Sequence, residues 1–234
     1  DKALKDNSLD KRETILFKRL EIELKEIVNY NKRVEKRSFL TDFYGEKKLE
    51  IPLSENVTLK GFIDKILFKT FHDKTYYAVF DYKTGSATLN LDYLEEGLYL
   101  QLPLYIYLIN KSNLFENPTF VGFFYQYLLR SYKDKEEWFK NLKLVGYTTD
   151  DKVILSYLDE DYETDSFVKG LSVKKDGELS SRSKVLSDSE VEDIINSIDK
   201  ALEKCLKTID NNSFDIAPKI INNKNISCEF CAFK

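Results

Sequence analysis

The sequence predicts a mixed α/β or α+β domain, in which early strands are followed and flanked by helices. Three observations support this class: a helical hydrophobic pattern over residues 10–35, strand patterns over residues 39–83, and a second helical pattern over residues 188–209. The chain has 234 residues, enough for one large domain or two small ones with a real hydrophobic core.

The composition favours a folded protein and excludes several other classes. Hydrophobic residues make up 42% of the chain, with only 8 glycines and 4 prolines, so collagen-like and largely disordered structures are excluded. The longest apolar stretch, residues 97–109, contains Gln101 and Pro103 and is too short to span a bilayer. A net charge of −4 provides no general basic field for nucleic acid, although a local basic groove is compatible with it.

Cysteine and methionine usage bears on the compartment and on the completeness of the chain. Three cysteines do not make a disulfide framework, and nothing at the start of the chain resembles a secretion signal. We therefore expect a reducing compartment, the cytoplasm. The chain contains no methionine, which indicates a fragment of a larger protein.

The first element is an amphipathic helix over residues 10–35. Its apolar residues recur at helical spacing, with lysine, arginine and glutamate between them. We expect this helix to cover a sheet with the following side chains: Leu16, Leu20, Leu24, Ile27 and Val28.

Residues 39–83 have the pattern of several strands. Apolar and polar residues alternate around Ile51, and a longer run over residues 57–69 reaches a polar turn at His72-Asp73-Lys74. Residues 75–83 then run back, rich in tyrosine, valine and phenylalanine, which predicts a β-hairpin.

The middle of the chain is less regular. A helix with a strongly apolar face is predicted over residues 92–110, where Pro103 marks either a kink or a first turn. Residues 120–129 are again typical of a strand. Residues 131–186 are mixed and charged and predict no definite element.

A capping signal begins the last helix. Ser187 followed by Glu190 makes a capping box, which predicts a helix over residues 188–209. Cys205 lies among leucines and isoleucine in this helix and is predicted to be a buried thiol. Residues 211–227 form a polar, asparagine-rich loop.

Two aspartates and a lysine are expected to lie close together in the predicted hairpin. Asp81 and Lys83 point to the same side of their strand, and Tyr82 points to the other. In a hairpin centred on residues 70–74, Asp64 lies across from them. Two carboxylates and one ammonium group then converge on one face of a sheet.

This convergence suits metal-assisted phosphoryl chemistry. Mg²⁺ binds a few carboxylate oxygens together with waters and a substrate phosphate, and a lysine beside it offsets charge on the reacting phosphate. The alternative is an ordinary cross-strand Asp–Lys pair on a sheet surface. Apolar residues precede both Asp64 and Asp81, and buried acids without a metal or partner are costly, which favours the metal site.

A polar pair lies on the otherwise apolar helix that follows. Gln101 and Tyr105 are four residues apart and share a face of the helix. They either form hydrogen bonds with the sheet or with solvent, or they line the metal site and contact DNA.

Three segments of the chain together resemble a known family. They are G-F-I-D at residues 61–64, F-D-Y-K-T-G at residues 80–85 and Q-L-P-L-Y at residues 101–105. In this order they resemble the motifs of the PD-(D/E)xK nucleases of the RecB family, most closely the AddB type. The likeness is strongest over residues 57–130 and extends to residues 218–234.

The resemblance implies a fold and a domain organisation. The fold is a restriction-endonuclease-like core, with a central mixed β-sheet flanked by helices. Residues 1–234 would form a single nuclease domain, with the core over about residues 10–130, a helical or insert region over residues 131–210 and a cysteine-containing tail over residues 211–234.

The resemblance also implies roles for the motif residues. The catalytic residues would be Asp64, Asp81, Lys83, Gln101 and Tyr105. Asp64 and Asp81 would bind Mg²⁺ or Mn²⁺ together with the backbone carbonyl of Tyr82. Lys83 would be the catalytic lysine.

The tail has a second likeness. Cys228 and Cys231 form a C-x-x-C pair similar to that of the four-cysteine 4Fe–4S site in AddB-type and CRISPR-adaptation nucleases. Only two such ligands are present, and a cluster takes four, so the resemblance implies a cluster in the full-length protein and an empty position in this fragment. A zinc pair or two unrelated thiols are the alternatives.

The single histidine and the lack of an ATP-binding motif both bear on the function and its partners. His72, the only histidine, is predicted to be a solvated turn residue rather than the histidine of many family members. No P-loop motif occurs, so a partner, an AddA-like helicase subunit, would supply the ATPase activity for unwinding. The substrate shared by both subunits would be DNA.

The leading hypothesis is thus a Mg²⁺-dependent deoxyribonuclease domain of an AddAB/RecBCD-like helicase–nuclease for double-strand-break repair. Two alternatives stay open: a non-catalytic DNA-binding or interaction module of a repair complex, and a stand-alone RecB-like or CRISPR-adaptation nuclease.

Overall fold

A computed structural model of the chain describes residues 10–128, 135–214, 220–221 and 223–225. The helices are α1 (Lys11–Arg37), α2 (Gln101–Lys111), α3 (Lys135–Leu142), α4 (Lys152–Leu158), α5 (Tyr162–Asp165), α6 (Asp188–Asp210) and a 3-10 helix (Leu91–Glu96). The strands are β1 (Asp42–Pro52), β2 (Thr58–Phe71), β3 (Lys74–Lys83), β4 (Pro118–Tyr127), β5 (Val145–Thr149), β6 (Val185–Leu186), β7 (Ile220–Ile221) and β8 (Lys224–Asn225). No helix in these ranges has the length and apolar character needed to cross a membrane.

Six strands form one mixed sheet in the order β1-β2-β3-β4-β5-β6. The β1–β2, β2–β3 and β4–β5 pairs are antiparallel, whereas β3–β4 and β5–β6 are parallel. The parallel β3–β4 pair requires a crossover, and this crossover contains the 3-10 helix and α2. The predicted fold class, a central mixed sheet flanked by helices, is confirmed.

The β2–β3 hairpin turns at the predicted place. Phe71 pairs with Lys74, and the two residues between them, His72 and Asp73, have φ of 47° and 60°. Two positive φ values are the signature of a type I′ turn, whose twist matches that of the paired strands. This turn sets the register of the hairpin, and His72 is an exposed turn residue as predicted.

Helices cover both faces of the sheet. One core forms against α2 and α6, around residues such as Ile106 and Ile198. The other forms against α1 and α4, around residues such as Val34 and Leu155. The site residues therefore lie on a sheet whose strands are held from two sides.

Helix α1 covers the sheet as predicted, but of the five side chains expected to face it, only Ile27 is fully buried and Leu20 is half-buried. Leu16, Leu24 and Val28 are about half exposed, and the buried residues are Glu23, Ile27, Tyr30 and Val34. A helix of 27 residues is about 40 Å long, and its buried residues begin only near its middle, at Glu23. The leucine spacing was a wrong guide, because it does not show where along the helix the sheet begins.

The helix predicted over residues 92–110 is interrupted. The 3-10 helix ends at Gly97, which has a left-handed φ of 77°, and α2 begins only at Gln101. Pro103 lies in the first turn of α2, where the missing N–H has no partner to lose. Of the two interpretations of Pro103, the first turn is the correct one.

The capping box of α6 is confirmed, because Ser187 Oγ accepts from the Glu190 N–H and the Glu190 carboxylate accepts from the Ser187 N–H. Cys205 is exposed, so the prediction of a buried thiol was wrong. The buried residues of α6 end at Ala201, and its last turns are no longer covered.

Residues 131–186 contain α3, α4, α5 and two further strands of the sheet, β5 and β6.

Candidate active site

The candidate site lies where β2 and β3 separate. Their pairing ends with Lys65 opposite Phe80. Beyond this pair β2 continues along β1 alone, and β3 continues along β4, where Asp81 pairs with Tyr125. Asp64 and Asp81 are the first residues past the last hairpin pair, so both lie where the two strands diverge. We call this place the strand fork.

A residue of β1 with an unusual backbone conformation lies opposite the fork. Glu46 has a φ of 51° and lies between the pairs Gly45–Lys65 and Lys47–Ile63, which places it opposite Asp64. Ile63 and Ile66 both belong to the core under α2, although regular alternation would put residues three apart on opposite faces. The facing of β2 therefore changes at Asp64, which lies opposite the left-handed Glu46.

The carboxylate of Asp64 reaches across the fork. Its Oδ2 accepts a hydrogen bond of 2.7 Å from the backbone N–H of Tyr82. The Tyr82 side chain lies on the other face of the sheet, in a small cavity with Val34 and Leu67. The predicted opposition of Asp64 to residues 81–83 is therefore present, through a backbone contact.

Asp81 is the buried carboxylate of the site, with a relative exposure of 2%. Its Oδ1 accepts hydrogen bonds from Gln101 Nε2 at 2.6 Å and from the Tyr105 hydroxyl at 3.3 Å. Its Oδ2 forms an ion pair with Lys83 Nζ. Burial raises the pKa of Asp81 above its usual value; the Lys83 ammonium opposes this shift and the Asp64 charge adds to it.

Gln101 connects the acid and the lysine. In addition to its bond to Asp81, its Nε2 donates to the Tyr105 hydroxyl at 3.1 Å, and its Oε1 accepts from Lys83 Nζ at 2.8 Å. Burial raises the pKa of Tyr105 to about 12, so this hydroxyl is a neutral donor at neutral pH. The expected shared face of Gln101 and Tyr105 is present and is turned toward Asp81.

The donor set fits a hard divalent cation. Asp81 Oδ2 is buried, and its partner among the described residues is the Lys83 ammonium, with which it forms an ion pair. In the same part of the chain, no three carboxylate, histidine or cysteine residues cluster in a way that could hold a metal ion. The aspartates offer oxygen ligands rather than the histidine and cysteine ligands that zinc prefers, and carboxylate oxygens suit Mg²⁺ or Mn²⁺, which keep several waters and bind substrate phosphate.

Three features of the site were missed at the level of sequence. The positive φ of Glu46 has no recognisable signal in the sequence. The Tyr125 ring lies 5.1 Å from Lys83 Nζ, a contact that depends on the parallel pairing of β3 with β4. A Cβ on Gly61 would lie 2.4 Å from Leu108 Cδ1, so this glycine lets α2 approach β2 closely, and an isolated glycine in a strand pattern is a usable signal.

The predicted cluster ligands Cys228 and Cys231 lie outside the described residues. Cys205 is on the surface of α6, lining a groove with Glu95 and Phe214.

Comparisons with known proteins agree with the motifs. The family model described as the PD-(D/E)XK nuclease superfamily matches residues 1–234. The chain is 30% identical over 201 residues to a Clostridium perfringens protein and 30% identical over 210 residues to a Carboxydothermus hydrogenoformans protein. Both relatives are named as a subunit of an ATP-dependent helicase/deoxyribonuclease. These matches cover 80% and 81% of this chain, but only 17% and 19% of the relatives.

A third relative of the same name, from Caldanaerobacter subterraneus subsp. tengcongensis, is 28% identical over 203 residues. The chain spans less than a fifth of the length of all three. Since the family model extends over every residue and its motif carboxylates and lysine meet in one fork of the sheet, the chain belongs to the PD-(D/E)XK nuclease superfamily.

Proposed function

We propose that this chain is the metal-dependent nuclease domain of an AddB-like helicase–nuclease subunit, and that it hydrolyses DNA phosphodiester bonds with Mg²⁺ or Mn²⁺. The observation that carries the proposal is the meeting of Asp64, Asp81 and Lys83 at the strand fork, where Lys83 pairs with a buried oxygen of Asp81. Two carboxylates and a lysine so placed are the groups that metal-assisted hydrolysis of a phosphodiester requires.

Asp64, Asp81 and the Tyr82 carbonyl would hold the metal ion. When bound, the ion polarises the scissile phosphate and lowers the pKa of its water. Asp81 is fixed for this task by two donors on its other oxygen, Gln101 and Tyr105. Asp64 is fixed by the Tyr82 N–H.

Lys83 would orient the attacking water and offset charge on the phosphate. Its ammonium is held by Gln101 Oε1 and Asp81 and packs over the Tyr125 ring. Its side chain is 23% exposed, so one side of it faces the solvent, from which a substrate arrives. Preorganised charge of this type is worth about 10²–10³ in rate in other hydrolases.

The wider context is also a proposal. The relatives' names support a helicase function in the same assembly, and an AddA-like subunit would supply the ATPase. Double-strand-break repair in the cytoplasm is the process that fits such an assembly. Cys228 and Cys231 would contribute to a 4Fe–4S cluster in the full-length protein.

Measuring both Mn²⁺ binding and DNA cleavage, in the parent and in a variant, tests the proposal. We expect calorimetry to detect Mn²⁺ binding to the 234-residue chain, and Asp81→Asn to abolish both binding and cleavage of a labelled oligonucleotide while leaving the circular dichroism spectrum unchanged. Cleavage by Asp81→Asn at the parental rate would overturn the assignment. Absence of Mn²⁺ binding together with retained DNA binding would favour the non-catalytic module.

A further inference from the structure

The Lys83 ammonium contacts groups of two different kinds at the candidate site. It forms an ion pair with Asp81 Oδ2 and donates a hydrogen bond of 2.8 Å to Gln101 Oε1. It also lies 5.1 Å from the centroid of the Tyr125 ring. The first two contacts are the charged and polar oxygens that an ammonium group ordinarily binds. The third is a neutral aromatic face on another strand.

The ion pair with Asp81 conflicts with the proposed metal site. Asp81 Oδ1 already accepts hydrogen bonds from Gln101 and Tyr105, so Oδ2 is the oxygen left for a cation. A divalent cation there competes with the ammonium for the same oxygen and carries twice its charge. Lys83 must then be held at the site by its other two contacts, Gln101 and Tyr125.

The position of the Tyr125 ring does not depend on the ion pair. The residue is 3% exposed and belongs to the core under α2. It pairs with Asp81 across β3 and β4, and paired residues of neighbouring strands lie side by side on one face of the sheet. The backbone of the sheet therefore places this ring beside the lysine, whatever binds Asp81.

An aromatic face can hold an ammonium group without competing for a metal ion. The face of the ring carries the negative part of its quadrupole and attracts a cation within about 6 Å, more strongly when the cation is partly desolvated. The Lys83 side chain is only 23% exposed. Mg²⁺ and Mn²⁺ prefer oxygen ligands, so the Tyr125 ring discriminates between the two cations where a carboxylate does not.

We propose that Tyr125 is a positioning residue, whose ring face keeps the Lys83 ammonium at the site once a metal ion takes the Asp81 oxygen. The inference rests on the proposed nuclease function and names the group that holds the lysine in the metal-bound state. The competing explanation is that Tyr125 only fills the core under α2.

The test changes the electrons of the ring and keeps its shape. Tyr125→Phe is compared with the same chain carrying trifluorophenylalanine at position 125, whose face is far less negative. The lysines of the 234-residue chain are isotope-labelled in their side-chain methylene groups, and the signal that Lys83→Arg lacks identifies Lys83 by NMR. A ring under the side chain shifts this signal upfield. We expect the upfield shift in the parent and in Tyr125→Phe, both in EDTA and with Mg²⁺.

In the fluorinated chain, the upfield shift should persist in EDTA, where the ion pair with Asp81 holds the lysine, and should be lost on addition of Mg²⁺. Single-turnover cleavage of a labelled oligonucleotide with Mg²⁺ should be about tenfold slower than in Tyr125→Phe. Trifluorophenylalanine in place of Phe123 is the matched control, because Phe123 lies in the same core two residues earlier on β4. It should change neither the shift nor the rate.

Equal cleavage by Tyr125→Phe and its fluorinated counterpart would overturn the proposal. So would an upfield shift of Lys83 that survives Mg²⁺ in the fluorinated chain, because Tyr125 would then only fill the core.

Asp81→Asn separates this inference from the metal assignment. It removes the carboxylate charge without any metal ion, so the ring should hold Lys83 even in EDTA. The upfield shift should persist when Asp81→Asn is combined with Tyr125→Phe and be lost when it is combined with the fluorinated residue. That result in a chain that cleaves DNA at the parental rate supports the role of Tyr125 and overturns the metal assignment alone. A shift that persists in the fluorinated Asp81→Asn chain overturns the role of Tyr125, whatever the cleavage rate.

Discussion

Gln101 donates a hydrogen bond of 2.6 Å from its amide to Asp81, while its carbonyl accepts one of 2.8 Å from Lys83. One side chain of α2 therefore fixes both an acid and a lysine of β3. The amide can do this because it carries a donor and an acceptor at one end. An aliphatic or charged residue of similar size offers only one of the two contacts or neither.

Gln101→Ala should weaken metal binding. Without the amide, Asp81 Oδ1 keeps only the longer bond from Tyr105, and the carboxylate loses its fixed orientation. Loss of such supporting partners lowers metal affinity about 10–100-fold, which Mn²⁺ calorimetry will measure. Lys111→Ala, at the other end of α2, is the control and should leave the affinity unchanged. Parental Mn²⁺ affinity in Gln101→Ala would show that the amide does not position Asp81.

Lys83→Ala should separate metal binding from catalysis. Removing the ammonium takes a positive charge away from Asp81, so Mn²⁺ should bind at least as tightly as in the parent. Cleavage should nevertheless fall by about 10²-fold or more, because the charge that stabilises the reacting phosphate is lost. Single-turnover cleavage of a labelled oligonucleotide at saturating Mn²⁺ checks this.

Lys74→Ala is the control for that experiment, since Lys74 is an exposed residue at the opposite end of β3. It should cleave at the parental rate. If Lys83→Ala loses Mn²⁺ binding along with cleavage, the lysine supports the metal site rather than the reaction.

The elements that were correctly predicted depend on local signals. The His72-Asp73 turn and the Ser187–Glu190 capping box are each set by neighbouring residues, so their positions follow from the sequence. Once the turn is placed, strand geometry brings Asp64 opposite residues 81–83. The candidate site was predictable because its spacing is counted from that turn.

The errors concern properties that tertiary packing decides. Leu16 and Leu24 have good helical spacing, yet the sheet does not reach them. Cys205 has apolar neighbours along α6 but lies beyond its last buried residue, Ala201. The change of facing at Asp64, opposite Glu46, depends on the pairing of two strands. No periodicity in one segment contains this information.

A buried ion pair joins the end of α1 to the loop after α4. Asp159 is fully buried, and Arg37 binds its Oδ1 and lies 3.9 Å from the centroid of the Phe167 ring. The Phe167 N–H also donates to Asp159 Oδ2 at 2.8 Å. Burial nevertheless raises the pKa of Asp159 above its usual value, so desolvation outweighs the guanidinium and the backbone donor.

Arg37→Ala should destabilise the fold more at neutral than at acidic pH. It leaves a buried carboxylate without its charge partner, which costs about 3–5 kcal/mol at neutral pH. The pKa of Asp159 then rises further in the folded state, whereas the unfolded chain keeps a pKa near about 3.9. The folded variant therefore takes up a proton first as the pH falls, and its deficit relative to the parent shrinks toward about pH 4.

Urea unfolding of parent and variant at two pH values measures this difference. Lys25→Ala, which removes an exposed ion pair with Glu21 on the same helix, should leave the free energy of unfolding nearly unchanged at either pH. A deficit for Arg37→Ala that is constant, or larger at acidic pH, would contradict the role assigned to the Asp159 charge.

Gly146 is a glycine at which strand packing leaves no room for a side chain. A Cβ there would lie 1.9 Å from the backbone oxygen of Phe123 and 3.0 Å from Phe124 Cα. Backbone atoms of β4 cannot turn aside as a side-chain end can, so Gly146→Ala must push β5 away from β4. We expect a loss of about 1–3 kcal/mol in the free energy of unfolding, measured in urea.

Gly85→Ala is the matched control, because a Cβ there meets nothing within 4 Å. It should change the free energy of unfolding by less than about 1 kcal/mol. The displacement of β4 should also reach the site, since Tyr125 of β4 pairs with Asp81. Gly146→Ala should therefore weaken Mn²⁺ binding as well as stability, and a variant with parental stability would show that the β4–β5 contact is looser than the geometry indicates.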